Sequence, residues 1–228
     1  MKNNYDYSKV LLHHCMGQSI ALIYASSSSV YGRSDEFTEV SNGDQPLHIV
    51  GYSKWLFDQY VKRILSKSEA QVLGLRYFDV YGPREQHKES FASVIHHFCQ
   101  QLENNEPLGL FVSKHFPKGE QKRDFIYVDD VVDVNLWFWQ HPEINGIFNC
   151  GTGQASTFNK VAALLINLCG SGEAIEVDLP EELYDDYRVY TEADTSKLRQ
   201  AGYNKPFITL EDGLKRSYDW HQSVGVLA

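Results

Sequence analysis

Ser19-Ile20-Ala21-Leu22-Ile23-Tyr24-Ala25, closing on Ser26-Ser27-Ser28, is a near-continuous apolar run. Such a run, bounded by small polar residues, reads as a strand buried on both faces of a parallel sheet. Gln71-Val72-Leu73-Gly74-Leu75-Arg76-Tyr77-Phe78 has the same form and ends at the turn Gly82-Pro83. Between them, Trp55, Leu56, Tyr60, Val61, Ile64 and Leu65 recur at helical spacing, predicting a helix over 51–67. Upstream, Val10, Leu11 and Leu12 mark the apolar side of a helix over 7–16. Downstream the pattern predicts a helix over 90–104 and a short strand Asp124–Val128. The helix after that strand has Asp129 or Asp130 as its cap. Gly146–Cys150 reads as a further strand, followed by a helix over 157–168. Beyond 173 the pattern gives a strand, an Asp/Tyr-rich loop and a last helix over 210–221. Strands alternating with helices imply an α/β fold around a parallel sheet. The chain opens in mid-helix with few strands for such a sheet, and so reads as the latter part of a larger fold.

With 43% hydrophobic and 22% charged residues the 228-residue chain has the balance of a globular protein that buries a sizeable core. Its net charge of −9 argues against nucleic acid as a partner, which would call for a basic face. No run approaches the roughly 18 apolar residues of a membrane span, and residues 1–8 have no signal-type apolar core, so the expected location is cytoplasmic. Cys15, Cys99, Cys150 and Cys169 lack paired spacing, which favours free thiols over a metal site or disulfide framework.

The stretch Val50-Gly51-Tyr52-Ser53-Lys54 carries the chemical question. In a helical Tyr-x-x-x-Lys the two side chains share one face, and the ammonium draws the phenol, ordinarily near pKa ~10, toward neutrality. That phenol then serves as a general base on an alcohol, with a serine at the end of the preceding strand holding the same oxygen. Ser27 and Lys54 fill two of these three roles, and Val50 stands where the phenol would be. Tyr52 lies about 200° round the helix from Val50 and points elsewhere.

Ser26-Ser27 with Tyr31-Gly32, Gly51-Tyr52-Ser53-Lys54, Leu75–Arg84, Arg123–Asp130 and Asn149-Cys150-Gly151-Thr152-Gly153 resemble, in order, the signatures of extended short-chain dehydrogenase/reductases, the nucleotide-sugar epimerases and dehydratases. Within that family, Gly82–Ser90, Ala92-Ser93-Val94, Asp133–Phe138 and Ala201–Phe207 are most similar to the branch that epimerises ADP-heptoses at C6 in lipopolysaccharide core synthesis. The resemblance implies NADP as cofactor, an ADP-sugar as substrate, a homo-oligomer, and two bases, the motif tyrosine and a lysine. Position by position it makes Lys88 the second base. Asn3, Lys54, Val80 and Lys88 become cofactor contacts, and Asp79, Ser90, His97, Phe111, Arg123 and Tyr187 line the substrate site. Arg123 suits a diphosphate, because its planar fork bonds phosphate oxygens in pairs.

Two departures stand out besides Val50. Asp79 occupies a position where the family has asparagine, which removes an amide donor and places a negative charge beside an anionic ligand. No Gly-rich dinucleotide turn occurs in the 228 residues. The expectation is therefore the C-terminal part of a Rossmann-type parallel sheet over 1–83 and 124–155, and a smaller α/β substrate-binding lobe over 84–123 and 156–228. Epimerase turnover should be depressed.

Overall fold

The computed structural model describes residues 1–40, 44–113, 116–181, 184 and 187–225. After a π-helical turn (Lys2–Asp6), the elements in order are α1 (Tyr7–Gly17), β1 (Leu22–Ser27), α2 (Ile49–Ile64), β2 (Val72–Tyr77), β3 (Asp79–Tyr81), α3 (Val94–Glu103), β4 (Leu108–Val112), β5 (Lys122–Arg123), β6 (Phe125–Tyr127), α4 (Val128–Gln140), β7 (Gly146–Cys150), β8 (Ser156–Thr157), α5 (Phe158–Cys169), β9 (Ala174–Asp178), α6 (Ser196–Gln200) and α7 (Leu210–Gly225). The chain divides into two compact units. One comprises Met1–Phe78, Val131–Gly153 and Glu192–Lys205, and the other Asp79–Asp130, Gln154–Thr191 and the chain from Pro206 onward.

The first unit is built on the parallel sheet β1-β2-β7. Leu22 pairs with Val72 through to Ser27 with Tyr77, and Leu73 with Gly146 through to Tyr77 with Cys150. β2 lies in the middle, which is why its residues read as an unbroken apolar run with one charge, Arg76, in it. Against one face pack Leu12 of α1 and Phe57 and Val61 of α2. Gly74 in the centre of β2 has a steric reason: a Cβ there would lie 2.5 Å from the Tyr24 phenol. On α4, Phe138 is buried and meets the Phe148 ring at 4.8 Å.

The second unit has a core of Ile95, Phe98 and Cys99 from α3, Leu108 and Leu110 from β4, Val161 and Leu165 from α5, and Leu214 from α7. Parallel β4 and β9 form one ribbon, parallel β3 and β6 another, and β5 and β8 an antiparallel pair. Caps end the helices as side-chain chemistry requires. The Ser93 hydroxyl accepts from the His96 amide and the Thr157 hydroxyl from the Lys160 amide. Gly170, with φ of 77°, closes α5.

Three local expectations need correcting. Val10 and Leu11 are exposed, and the buried side of α1 is Leu12 and Cys15, one turn apart. Asp129 and Asp130 do not cap α4. They sit inside its first turn, and the Asp130 carboxylate instead accepts from the Ile208 amide at 2.8 Å. The helix over 90–104 is a 3-10 segment (Gln86–Phe91) broken from α3 by Ser93. Part of the Asp/Tyr-rich loop, 182–183 and 185–186, lies outside the described residues.

Candidate functional site

In the first unit the candidate side chains Ser27 and Lys54 lie at the carboxyl end of β1, the edge where open α/β sheets bind ligands. Gly51 is the reason α2 can approach this end, since a Cβ there would come within 2.7 Å of the Ser29 carbonyl oxygen. Ser27 caps the 3-10 turn Ser28–Tyr31: its Oγ accepts from the Ser29 amide at 3.1 Å and the Ser29 hydroxyl at 2.9 Å. With its lone pairs so used, the Ser27 hydroxyl keeps its own proton to donate. Lys54 Nζ donates to the Ala25 carbonyl at 2.7 Å. Burial lowers the pKa of this ammonium, and the nearby Asp58 carboxylate opposes that shift. Val50, one turn before Lys54, is 52% exposed. Tyr52 stacks on Trp55 at 5.5 Å and is no replacement phenol for Lys54. Asn3 is exposed. Its neighbour Asn4 is the residue that reaches α2, donating to the Ser53 hydroxyl at 3.1 Å.

Behind these residues lies a buried polar network. Asp58 Oδ2 accepts from Arg76 Nε at 2.9 Å and the Ser26 hydroxyl at 3.0 Å, and Oδ1 from the Tyr24 hydroxyl at 3.0 Å. The Arg76 fork bonds both oxygens of Asp44, at 3.3 and 2.9 Å, and its guanidinium lies 4.7 Å from the centre of the Tyr31 ring. Tyr31 donates to Asn149 at 2.6 Å. Burial raises the Asp58 pKa, with Arg76 the main opposing influence, and it raises the Tyr24 phenol well above its ordinary value. Asp58 and Lys54 thus grip three consecutive residues of β1, Tyr24, Ala25 and Ser26, directly before Ser27. Asp58 went unassigned from sequence, although its position one turn after Lys54 on the same helical face was a usable signal. Arg76 had a signal too, as a charge inside a strand otherwise apolar.

In the second unit four of the expected site residues come together. Arg123 Nε lies 3.8 Å from Asp79 Oδ1, and the guanidinium is 5.4 Å from the centre of the Tyr187 ring. Phe111 meets that ring edge-on at 5.9 Å, and Phe116 stacks on it at 5.6 Å. The Tyr187 hydroxyl accepts from the buried Gln121 amide at 3.2 Å, and Thr191 Oγ1 donates to Asp79 Oδ2 at 3.3 Å. The result is a guanidinium in an aromatic frame, suited to a phosphate carried by a larger organic group.

Lys88, Ser90 and His97 belong to another neighbourhood of the same unit. Lys88 Nζ donates to Glu85 at 3.1 Å. Glu85 is buried and also accepts from the Gly82 amide and from both amide and hydroxyl of Ser93, so burial raises its pKa less than these donors lower it. Ser90 is exposed in the 3-10 segment, and His97 is half-buried beside the His96 ring. His96 is buried and its Nδ1 lies 3.0 Å from His221 Nε2, while His221 Nδ1 lies 3.2 Å from Glu103. Val80 is held in register with Ile126, which fixes its backbone.

Residues 1–151 match the model of the NAD dependent epimerase/dehydratase family. Over 96% of its length the chain is 49% identical to an ADP-L-glycero-D-manno-heptose-6-epimerase of Alkalilimnicola ehrlichii, covering 69% of that protein. Among solved structures, the ADP-L-glycero-D-manno-heptose-6-epimerase of Helicobacter pylori superposes with a TM-score of 0.83 at 29% identity, over 96% of this chain and 65% of that one. A UDP-N-acetylglucosamine 4-epimerase of Methanobrevibacter ruminantium, in complex with UDP-N-acetylmuramic acid, gives a TM-score of 0.86 at 26% identity, over 98% and 70%. The chain thus spans about two thirds of the length of these relatives, and its α/β architecture with parallel strands is theirs. By sequence and fold alike, it belongs to the NAD dependent epimerase/dehydratase family.

Proposed function

We propose that this chain serves NADP-dependent epimerisation at C6 of an ADP-heptose, a precursor of the lipopolysaccharide core, with turnover depressed by Val50. The observation that carries this reading is the 49% identity, over 96% of the chain, to an enzyme of that name. The reading further takes residues 1–83 and 124–155 as the dinucleotide-binding part and 84–123 and 156–228 as the substrate lobe, in a cytoplasmic homo-oligomer.

The donors at the end of β1 fit the nicotinamide-ribose portion of such a cofactor, with Lys54 on the ribose hydroxyls and the Asn3 side chain and Val80 backbone as further contacts. When bound, NADP supplies the oxidising and then the reducing equivalent at C6. Ser27 orients the C6 oxygen through its free hydroxyl proton, and Lys88, steadied by Glu85, acts as the base for one orientation of the sugar. Arg123 takes the diphosphate, Tyr187 and Phe111 flank it, and Asp79, Ser90 and His97 complete the substrate contacts. At position 50 a valine moves no proton, so one of the two bases is missing.

A second reading, a chain that binds a nucleotide sugar without turning it over, is favoured by Val50 specifically. One comparison separates the two. Epimerisation of ADP-heptose is followed by NMR for wild type, Val50→Tyr, and Val50→Tyr with Lys88→Ala. Restoring the phenol should raise the rate by roughly 10²–10⁴, and removing Lys88 should abolish the gain. Equal rates for wild type and Val50→Tyr would refute the role given to position 50. ADP-sugar binding with no turnover in either would favour the second reading.

A further inference from the structure

We propose that Asp79 makes binding at Arg123 proton-coupled: a phosphate group of the ligand takes over the charge pairing with Arg123, and the Asp79 carboxylate, still beside it, takes up a proton from solvent as the anion enters. The inference rests on the assignment of Arg123 to the diphosphate.

The geometry of the pair is that of a removable contact. At 3.8 Å, Arg123 Nε and Asp79 Oδ1 attract as charges without a hydrogen bond between them. Arg123 Nη1 donates to the Lys122 carbonyl at 3.1 Å, which fixes the guanidinium plane. Among the described residues Nη2 has no hydrogen bond to a protein acceptor, so one end of the fork is available to an incoming oxygen. Asp79 is anchored from its other side by Thr191. It therefore remains beside the guanidinium when the ligand arrives, rather than swinging away.

Charge makes the coupling necessary. The groups around Asp79 are Arg123 of β5, Asp124 between β5 and β6, and Arg188 and Thr191 of the 187–191 segment, with the Tyr187 phenol nearby. With both carboxylates ionised, the two arginines and two aspartates cancel, and an anion entering meets no net attraction. Protonating Asp79 leaves one positive charge in excess. A protonated carboxyl also offers an O–H donor, the hydrogen-bonding role an amide would have at this place. Partial burial already raises the Asp79 pKa and Asp124 adds to that rise, while Arg123 opposes it. An approaching phosphate strengthens the rise and engages the opposing arginine.

The test uses the intact chain and ADP-glucose, a diphosphate diester with no titration of its own near neutrality. Affinity is measured by calorimetry from pH 5.5 to 8.5 in two buffers of different ionisation enthalpy. Wild type should bind more weakly as pH rises, by up to about tenfold per unit, with proton uptake seen as a buffer-dependent heat. Asp79→Asn should be flat over this range, without proton uptake, and ~10–100-fold tighter than wild type at pH 8. Identical pH slopes for wild type and Asp79→Asn, with Arg123→Gln still losing affinity, would overturn the inference and leave the diphosphate assignment standing. If Arg123→Gln binds as wild type does, the diphosphate assignment falls and the proton coupling with it.

Discussion

Replacing Asp58 should be among the most damaging single changes in the first unit, and its cost can be worked from the bonds it makes. Three donors converge on this carboxylate: Arg76 Nε, the Ser26 hydroxyl and the Tyr24 hydroxyl. Asp58 and Arg76 side chains are both 0% exposed. In Asp58→Ala each donor loses its acceptor where water does not replace it, at roughly 1–3 kcal/mol apiece. Arg76 keeps its two bonds to Asp44, so its charge is not left unpaired, and the lower part of that range applies to it. The sum is about 4–6 kcal/mol, comparable to the whole stability of many domains. Asp58→Asn keeps the shape and one acceptor but turns an amide donor toward Arg76 or a hydroxyl, and should cost about 2–4 kcal/mol. Urea unfolding read by tyrosine circular dichroism measures both, with the exposed Asp35→Ala as a control expected within ~0.5 kcal/mol of wild type. Adding Arg76→Met to Asp58→Ala should cost clearly less than the two changes summed, because each removes the other's unmet partner. An Asp58→Ala protein within ~1 kcal/mol of wild type would show that water satisfies these donors and that the network is not a buried anchor.

The buried His96–His221 pair should make the second unit acid-sensitive. Burial lowers both pKa values, with Glu103 opposing the shift at His221, so the native chain holds both rings neutral while the unfolded chain protonates near the ordinary value of ~6.5. Stability attributable to the pair is therefore intact above that pH and falls as pH drops through it. His221→Gln should flatten the change in urea midpoint between pH 7.5 and 5.5, and an unchanged slope would contradict the assignment. Gly213→Ala should destabilise although alanine favours helices by about 1 kcal/mol, because the new Cβ would lie 2.0 Å from the hydroxyl of fully buried Tyr81. A net cost of roughly 1–3 kcal/mol in thermal or urea unfolding is expected, reduced when Tyr81→Phe is added. A stabilised Gly213→Ala would show that Tyr81 moves aside freely.

What the sequence revealed follows burial and length. β2 and β7 were legible because a strand covered on both faces needs an unbroken apolar run. The apolar run of β1 also marked a strand, but not one buried on both faces: at the end of the β1-β2-β7 order Ala25 is exposed, Leu22, Ile23 and Tyr24 are half-buried, and only Ser26 is buried. The two- and three-residue strands β3, β5 and β8 carry no period to detect, and β4 escaped as a short run behind Pro107. Which apolar residues of α1 face inward was not readable, since three adjacent apolar residues point to three directions and only packing selects Leu12. The same limit explains the site. Motif spacing made Ser27 and Lys54 candidates and the family resemblance added Arg123, whereas Glu85 on Lys88, Thr191 on Asp79 and Asp44 on Arg76 depend on partners that local sequence does not pair.

The helical stripe Val50, Lys54, Asp58 shows how these constraints divide along one surface. Its three members stand one turn apart and pass from solvent to core: Val50 is 52% exposed, Lys54 reaches the Ala25 carbonyl, and Asp58 is fully buried. A change at Asp58 disturbs folding before it disturbs chemistry. At Val50 the reverse holds, because a side chain half in water contributes little packing and a phenol there displaces no core atom. Val50→Tyr should therefore leave the urea midpoint unchanged, and any difference in turnover can be read as proton transfer rather than as altered stability. That separation makes position 50 a clean test of whether this chain lost a base or never depended on one.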